Sequence, residues 1–462
     1  MPKLSRREFL SAAGAFALLP RGPLSAATGF TPLNAQVGDI QLLPEAYGTT
    51  SIWGFEGRAP GPEIRVAQGA RVQRKLQNAL PQATSVHWHG IRIANEMDGV
   101  AGLTQPAVEP KADFDYDFLA PDAGTYWYHA HNRSTEQVAR GLYGALIVEE
   151  ADKPDVDREE VLIFDDWLID PQTSQIAGDF DSPHAQSHAG RMGNYVTTNG
   201  TYNLTVPAKQ NERFRLRLIN ASNARTFPLQ LHGMEGWIVA LDGMPLKEPL
   251  AVTEPIILGS AQRADLIVDV VTEPGEAAHI LHLDRQESFS QVAFEVDGKA
   301  SESRRSQPAA LPSNRHEVVD LAQATRLNLK MEGGAMGGLR SATLNGEPKS
   351  MGELVEAGRF WAFNGSADGM DNEPLAKLSR GEHVQLRVTN DTAFPHAIHL
   401  HGMHFHEMGE NGVLGPLRDT TLIERGAARE IAFVADNPGQ WLLHCHMLSH
   451  AASGMMTRIV VS

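Results

Sequence analysis

One cysteine, Cys445, is all that 462 residues contain, so the chain can form no internal disulfide. It is also short of positive charge, with 40 Lys and Arg against 56 Asp and Glu, a net charge of −16 and a pI of about 5.6. Nucleic acid and anionic membrane surfaces both select basic patches, so neither is expected as a partner. Long apolar runs are missing as well: the one ending at Leu19 is too short to cross a bilayer. Helix signals are few and brief. What is plentiful is punctuation, 42 Gly and 27 Pro between short alternating runs, in a chain too long for one compact core.

The N-terminus reads Ser5-Arg6-Arg7-Glu8-Phe9-Leu10, then the short apolar run, then Ser25-Ala26-Ala27 with small residues suited to cleavage. Residues 1–28 resemble a twin-arginine export signal, with processing after Ala27. The twin-arginine export machinery is then an expected partner, the location periplasmic, and the chain exported already folded. An oxidising compartment permits disulfides, so a lone thiol kept there points to chemistry rather than to cross-linking.

The chain repeats itself three times. "VQRKLQNALPQATSVHWHG" (72–90), "FRLRLINASNARTFPLQLHG" (214–233) and "VQLRVTNDTAFPHAIHLHG" (384–402) are each an alternating strand, an Asn, a polar turn and a strand ending in His-Gly. A second repeated segment follows each: "DAGTYWYHAH" (122–131), "EPGEAAHILHL" (273–283) and "NPGQWLLHCH" (437–446). The pattern lapses at 150–159 and 297–315, which reads as linkers. The expectation is all-β, three Greek-key sandwich or barrel domains at about 29–150, 157–298 and 315–462.

Residues two apart in a strand share a face. His87 and His89, His129 and His131, His399 and His401, and His444 and His446 therefore form four same-face pairs, two in the first repeat and two in the third. If those domains face each other, eight imidazoles converge. By the same parity Cys445 points away from the eight, as does His396, three residues before His399. Cys445 and His396 can meet on the far side, joined by His450 and Met455 from the loop beyond the last of these strands. Two nitrogens, a thiolate and a distant thioether are the ligand set of a blue-copper electron-transfer site.

With "HWHG", "WYHAH", "HAIHLHG" and "HCHMLSHAASGMM" in hand, essentially the whole chain after residue 28 resembles the multicopper oxidases, in particular the three-domain bacterial laccase and cuprous-oxidase type. The resemblance implies three cupredoxin-like domains and four copper ions. It implies a type 1 copper on His396, Cys445, His450 and Met455 and a type 2 copper on His87 and His399. It further implies a type 3 pair, one ion on His89, His129 and His446 and the other on His131, His401 and His444. Electrons taken from a donor at type 1 copper would pass through Cys445 to its neighbours His444 and His446, where O2 is reduced to water. Asp98, in "NEMDGV", stands where the family has an acidic residue near the three-copper cluster and is expected to relay protons. The family often has a second acidic residue directly after the type 1 histidine; here it is Ala451.

The middle repeat has lost the first histidine of each pair. Gln230 stands where His87 and His399 do, Ile280 where His129 and His444 do, and His232 and His282 keep the second places. It is expected to be a spacer without copper. His404 and His406 have the wrong parity for the eight-imidazole face and are read as non-ligands near the type 1 site; His184 and His188, in a Gly/Ser-rich loop, as solvated.

Met455 at the axial position implies a modest type 1 potential and easily oxidised donors. The segment "LKMEGGAMGGL" (329–339) offers only Met331 and Met336, far short of the methionine-rich inserts of cuprous oxidases, although Met403 and Met408 could add to a Cu(I) site. A laccase-like oxidase of phenolic and aromatic donors, acting as a monomer, is the expectation. Cuprous oxidation in copper tolerance is the alternative. Copper nitrite reductases have two such domains and lack the four H-x-H pairs, and a copper-free envelope scaffold of the same fold would not keep every ligand.

Overall fold

Alternation of side chains builds the strands. In Glu382–Asp391, Val384, Leu386 and Val388 are buried and the residues between them turn outward. The computed structural model describes residues 29–462 other than 286, 372, 410 and 411. The twin-arginine reading of residues 1–28 lies outside the described residues.

Three two-sheet units follow one another along the chain. The first stacks the sheet Thr50–Phe55, Thr31–Ile40, Arg71–Asn78, Asp113–Leu119 on the sheet Ile64–Ala67, Tyr143–Glu149, Gly124–Ala130, Val86–His89. The second stacks six strands from Arg158–Trp167 to Arg263–Val270 on five strands running from Leu204–Gln210 to Glu287–Lys299. In the third, a six-stranded sheet centred on Glu382–Asp391 and Ala428–Ala435 covers a five-stranded one. That second layer has the order Ala376–Leu378, Met456–Val461, Gly439–Cys445, His396–Leu400, Thr420–Ile423.

Helices among the described residues are no longer than six residues, and none is long and apolar enough to cross a membrane.

The first and third units share one continuous core, with Trp88 and Tyr126 from one and Trp361, Trp441 and Leu443 from the other. The middle unit has its own core and is joined to the first by buried charge. Arg215 pairs with Glu150 at 2.8 Å and with Asp265 at 2.7 Å, and Arg217 reaches Glu159 at 2.8 Å and Asp265 at 3.1 Å. Of these pairs Arg215–Glu150 crosses between the units, and Asp265 and Glu159 complete the charge balance around the two arginines, since a lone buried charge would cost several kcal/mol.

Candidate metal centres

Strand pairing fixes the histidines. His87 lies opposite His129 in the first unit, and His399 opposite His444 in the third. On Gly439–Cys445, Trp441, Leu443 and Cys445 turn into the core, so His444 must face outward, toward the first unit. His446 follows on the same side, and the eight imidazoles meet between the units. Ring centroids are 3.9 Å apart for His87 and His401, 3.7 Å for His89 and His399, and 5.1 Å for His129 and His446. His131 stands 5.2 Å from His401 and 5.6 Å from His444.

The outer nitrogens of six of these rings are committed to protein acceptors. Nδ1 of His87 donates to the carbonyl of Asp98 at 2.8 Å, Nδ1 of His399 to the carbonyl of Asp419 at 2.9 Å, and Nδ1 of His401 to Oδ2 of Asp98 at 2.9 Å. Nδ1 of His444 donates to its neighbour's carbonyl at 2.9 Å, and Nδ1 of His129 to that of Ala130 at 3.1 Å. His89 is turned the other way, with Nε2 donating to Oδ1 of Asp419 at 3.2 Å. A neutral imidazole that donates from one nitrogen holds a lone pair on the other.

Those lone pairs point into the space between the two units. Nε2 of His87, His131 and His399 and Nδ1 of His89 are buried without a hydrogen-bond partner. Nε2 of His401 and of His444 face each other at 3.1 Å, and Nε2 of His129 and of His446 at 3.4 Å. Burial, reinforced by neighbouring rings, holds His401, His444, His446, His129 and His89 well below the usual imidazole range, and His131 down to about 3. Protonation therefore does not resolve the repulsion at neutral pH. Bound cations do, and the tight His groups are suited to them.

The second cluster sits on the core side of the same strand. Nε2 of His396 donates to Oγ1 of Thr392 at 2.8 Å, and Nε2 of His450 to the carbonyl of His188 at 2.7 Å. Both Nδ1 atoms are therefore lone pairs; they lie 3.1 Å apart, with Sγ of Cys445 at 3.6 and 3.8 Å. Burial pushes the Cys445 thiol up to about 12, so a thiolate here requires a cation. Met455 is buried, and its carbonyl accepts from the Cys445 amide at 3.1 Å.

Asp98 is fully buried between His87 and His401, and its Oδ1 has no hydrogen-bond partner, though it stands 3.3 Å from Nδ1 of His87. It follows a short turn held against the His87 strand: Gly99 has φ +84°, and a Cβ there would collide with the carbonyl of Val86.

Several supporting residues escape the sequence reading. Asp419 touches His89 and His399 and is bound by Arg263 of the middle unit, Nη1 to Oδ1 at 2.9 Å. Burial opposes its ionisation, yet Arg263, with His89 and His399 beside it, holds its carboxyl well below the usual range. Gly90 of "HWHG", at φ +87°, leaves the room in which this pair sits, since a Cβ would run into both side chains. Ser260 Oγ meets the His446 carbonyl at 3.0 Å, and Gln262 holds the Thr420 carbonyl at 2.9 Å. The one available signal was the polar "RDTT" directly before an alternating strand.

Four expectations need correction. In the middle unit the core phase of Ala277–Asp284 is shifted by one residue, and Gln230 pairs with Leu281. Ile280 is therefore a core residue and does not occupy the place of His129 and His444; His282 also turns inward, 5.1 Å from Phe227. His404 does not lie near the Cys445 cluster: it is buried 5.4 Å from His316 and 3.9 Å from Asp419, because the turn at 401–404 resets the strand parity. His188 is half-buried, not free in solvent, and its carbonyl closes over His450; its ring stacks on exposed His184 at 4.1 Å. Met331 and Met403 are core residues and Met408 is buried in a second apolar cluster, which removes all three as surface Cu(I) ligands; Met336 is 80% exposed.

Family models described as multicopper oxidase match residues 36–153, 158–287 and 347–462. The chain belongs to the multicopper oxidase family, cupredoxin-like oxidoreductases that use copper and take O2 as acceptor. It is 28% identical to the multicopper oxidase MmcO of Mycobacterium tuberculosis, over 99% of this chain and 96% of the relative. It is 27% identical to a copper resistance protein A homolog of Pseudomonas syringae pv. tomato, over 93% and 92%. The crystal structure of Lac15 from a marine microbial metagenome superposes with a TM-score of 0.76 at 40% identity, covering 94% of this chain and all of that one.

Proposed function

We propose that the chain is a four-copper, laccase-like oxidase that takes single electrons from small phenolic or aromatic donors beside Cys445 and delivers them to O2 at the eight-histidine cluster. The observation that carries the proposal is the convergence of buried imidazole nitrogens, facing pairs 3.1 and 3.4 Å apart, in a site where burial disfavours the imidazolium form. His396, Cys445, His450 and Met455 would hold a type 1 copper, and His87 with His399 a type 2. His89, His129 and His446 would hold one type 3 ion, and His131, His401 and His444 the other. Bound copper supplies one-electron oxidation at the first site and four-electron reduction of O2 to two waters at the second.

The protein's own contribution is fixed geometry. Cys445 is joined covalently to His444 and His446, so the two sites share one stretch of backbone and electrons need not cross a gap. Asp98 holds His401 through Oδ2 and His87 through its carbonyl, and its unpartnered Oδ1 is placed to hand protons to the cluster. Ala451 offers no second carboxylate. A periplasmic protein, exported through the twin-arginine pathway and acting as a monomer, completes the proposal.

A second reading, metal-ion oxidation in copper tolerance, is favoured by what lies over His450. His184 and His188 stack four residues apart in the chain, and the Ala335 amide beside exposed Met336 donates to the Ser187 carbonyl at 2.6 Å. Two imidazoles near a thioether suit a soft cation better than a ring. Oxygen uptake by copper-loaded protein, with Cu(I) or a methoxyphenol as donor and with or without added Cu(II), separates the two. Rapid uptake with the phenol alone supports the laccase-like function; uptake that requires Cu(I) or extra Cu(II) overturns it in favour of the second.

A further inference from the structure

A second histidine cluster lies where the three units meet, away from the Cys445 site. Met244 comes from the middle unit, His316 from the following linker, His404 from the third unit, and Asp122 from the first. Nε2 of His316 stands 3.1 Å from Sδ of Met244, and its ring meets that of His404 edge-on with centroids 5.4 Å apart. His404 is buried, and neither of its ring nitrogens has a hydrogen-bond partner. Leaving a buried polar group unpaired costs about 1–3 kcal/mol, so an imidazole with both nitrogens unpaired asks for a ligand.

We propose that His316, His404 and Met244 bind one soft monovalent cation, of the Cu(I) or Ag(I) class, at this junction. Soft thioether and imidazole donors together select such ions over hard divalent ones. Burial lowers both His316 and His404 to about 4, with Arg92 contributing to each, His406 to the first and His316 to the second, so at neutral pH both are uncharged ligands. His406 lines the same gap, and because its Nδ1 is bonded to the Gly415 carbonyl at 2.7 Å, its Nε2 is a lone pair on hand as a further donor.

Charge and space agree. Arg92 is flanked by Asp122 at 2.6 Å and Asp436 at 3.2 Å, which leaves one negative charge uncompensated beside the donors. Oδ1 of Asp122 is 3.8 Å from Nε2 of His316. The gap lined by His316, His404 and His406, with Arg92 and Glu317 also at its wall, measures about 10 Å³, enough for about one water-sized particle, and Met244 adjoins it through His316. Met244, His316 and His406 also line a cleft of about 580 Å³, which supplies an entry path. Unlike the reading of the Cys445 and eight-histidine clusters, this one needs none of their residues.

Calorimetric titration of the copper-loaded full chain with Ag(I) tests it, in a His184→Ala, Met336→Leu background that removes the other soft-donor group, the one over His450. The expected result is one saturable binding event per chain that disappears in both Met244→Leu and His404→Phe, with the blue absorption of each variant unchanged as a control for folding. Met244→Leu conserves volume, so its loss of binding reports the thioether and not a collapsed junction. No saturable event in the parent protein, or one that persists in both correctly folded variants, overturns the proposal and leaves the gap as a water site.

Discussion

The carbonyl of His188, in the second unit, accepts a 2.7 Å hydrogen bond from Nε2 of His450, in the third. Trp361 closes another side of the same ring at a centroid distance of 4.4 Å, and its indole nitrogen donates to the carbonyl of Gln186. The edge of His450 that would otherwise meet a donor is thus covered by the helix Pro183–Ser187 and the residue after it. In the proposed function, electrons would reach His450 through this cover.

Replacing residues 183–188 with a Gly-Ser linker is expected to raise kcat/KM for a bulky phenol by about tenfold, equivalent to about 1.4 kcal/mol, while the blue colour persists. Steady-state oxygen uptake with phenols of graded size is the measurement. An unchanged size dependence would place electron entry elsewhere.

Asp419→Ala leaves the guanidinium of Arg263 buried without its partner and His89 without its acceptor. The expected cost is about 3–5 kcal/mol. Thermal unfolding should shift accordingly, and copper content at the eight-histidine cluster should fall while the type 1 colour remains. A variant with normal copper and stability would show that Asp242, 3.7 Å from Arg263, suffices.

Asp98→Asn keeps an oxygen that can accept from His401 but removes the carboxylate that the proposed proton relay requires. Turnover is expected to fall about 100-fold or more with the blue absorption intact and copper fully loaded. If the loss appears only in Asp98→Ala, holding His401 and not proton transfer is the role of Asp98.

The copper-free protein should be acid-sensitive in a defined window. His450 and His404 are lowered to about 4 and His131 to about 3 by burial, against an ordinary value of 6.5 in the unfolded chain. Between those limits the unfolded state binds more protons than the folded one, so stability rises with pH. The contribution is complete above about 6.5 and is lost as pH falls toward about 4 and then about 3. Melting temperatures of copper-free protein from pH 8 to 4 check this, and a flat profile would contradict it.

Parity alone placed the eight imidazoles on one side of their strands and Cys445 on the other, because each strand buries one face and a single-residue slip would reverse it. Alignment of the repeats misplaced Ile280, where the glycine of the preceding turn no longer marks the core phase, and parity misplaced His404, which follows a turn that restarts the alternation. Asp419, Arg263 and the His188 carbonyl were invisible for another reason. Each acts across a boundary between units, and a local pattern in one chain carries no information about which surfaces will meet.

The grip of Arg263 on Asp419 has a consequence for how such a chain could be shortened. His89 is supplied by the first unit, Asp419 by the third and its counter-charge by the second. The middle unit cannot be excised without cost, because cutting it out would strip the countercharge from a carboxylate that braces both flanking units.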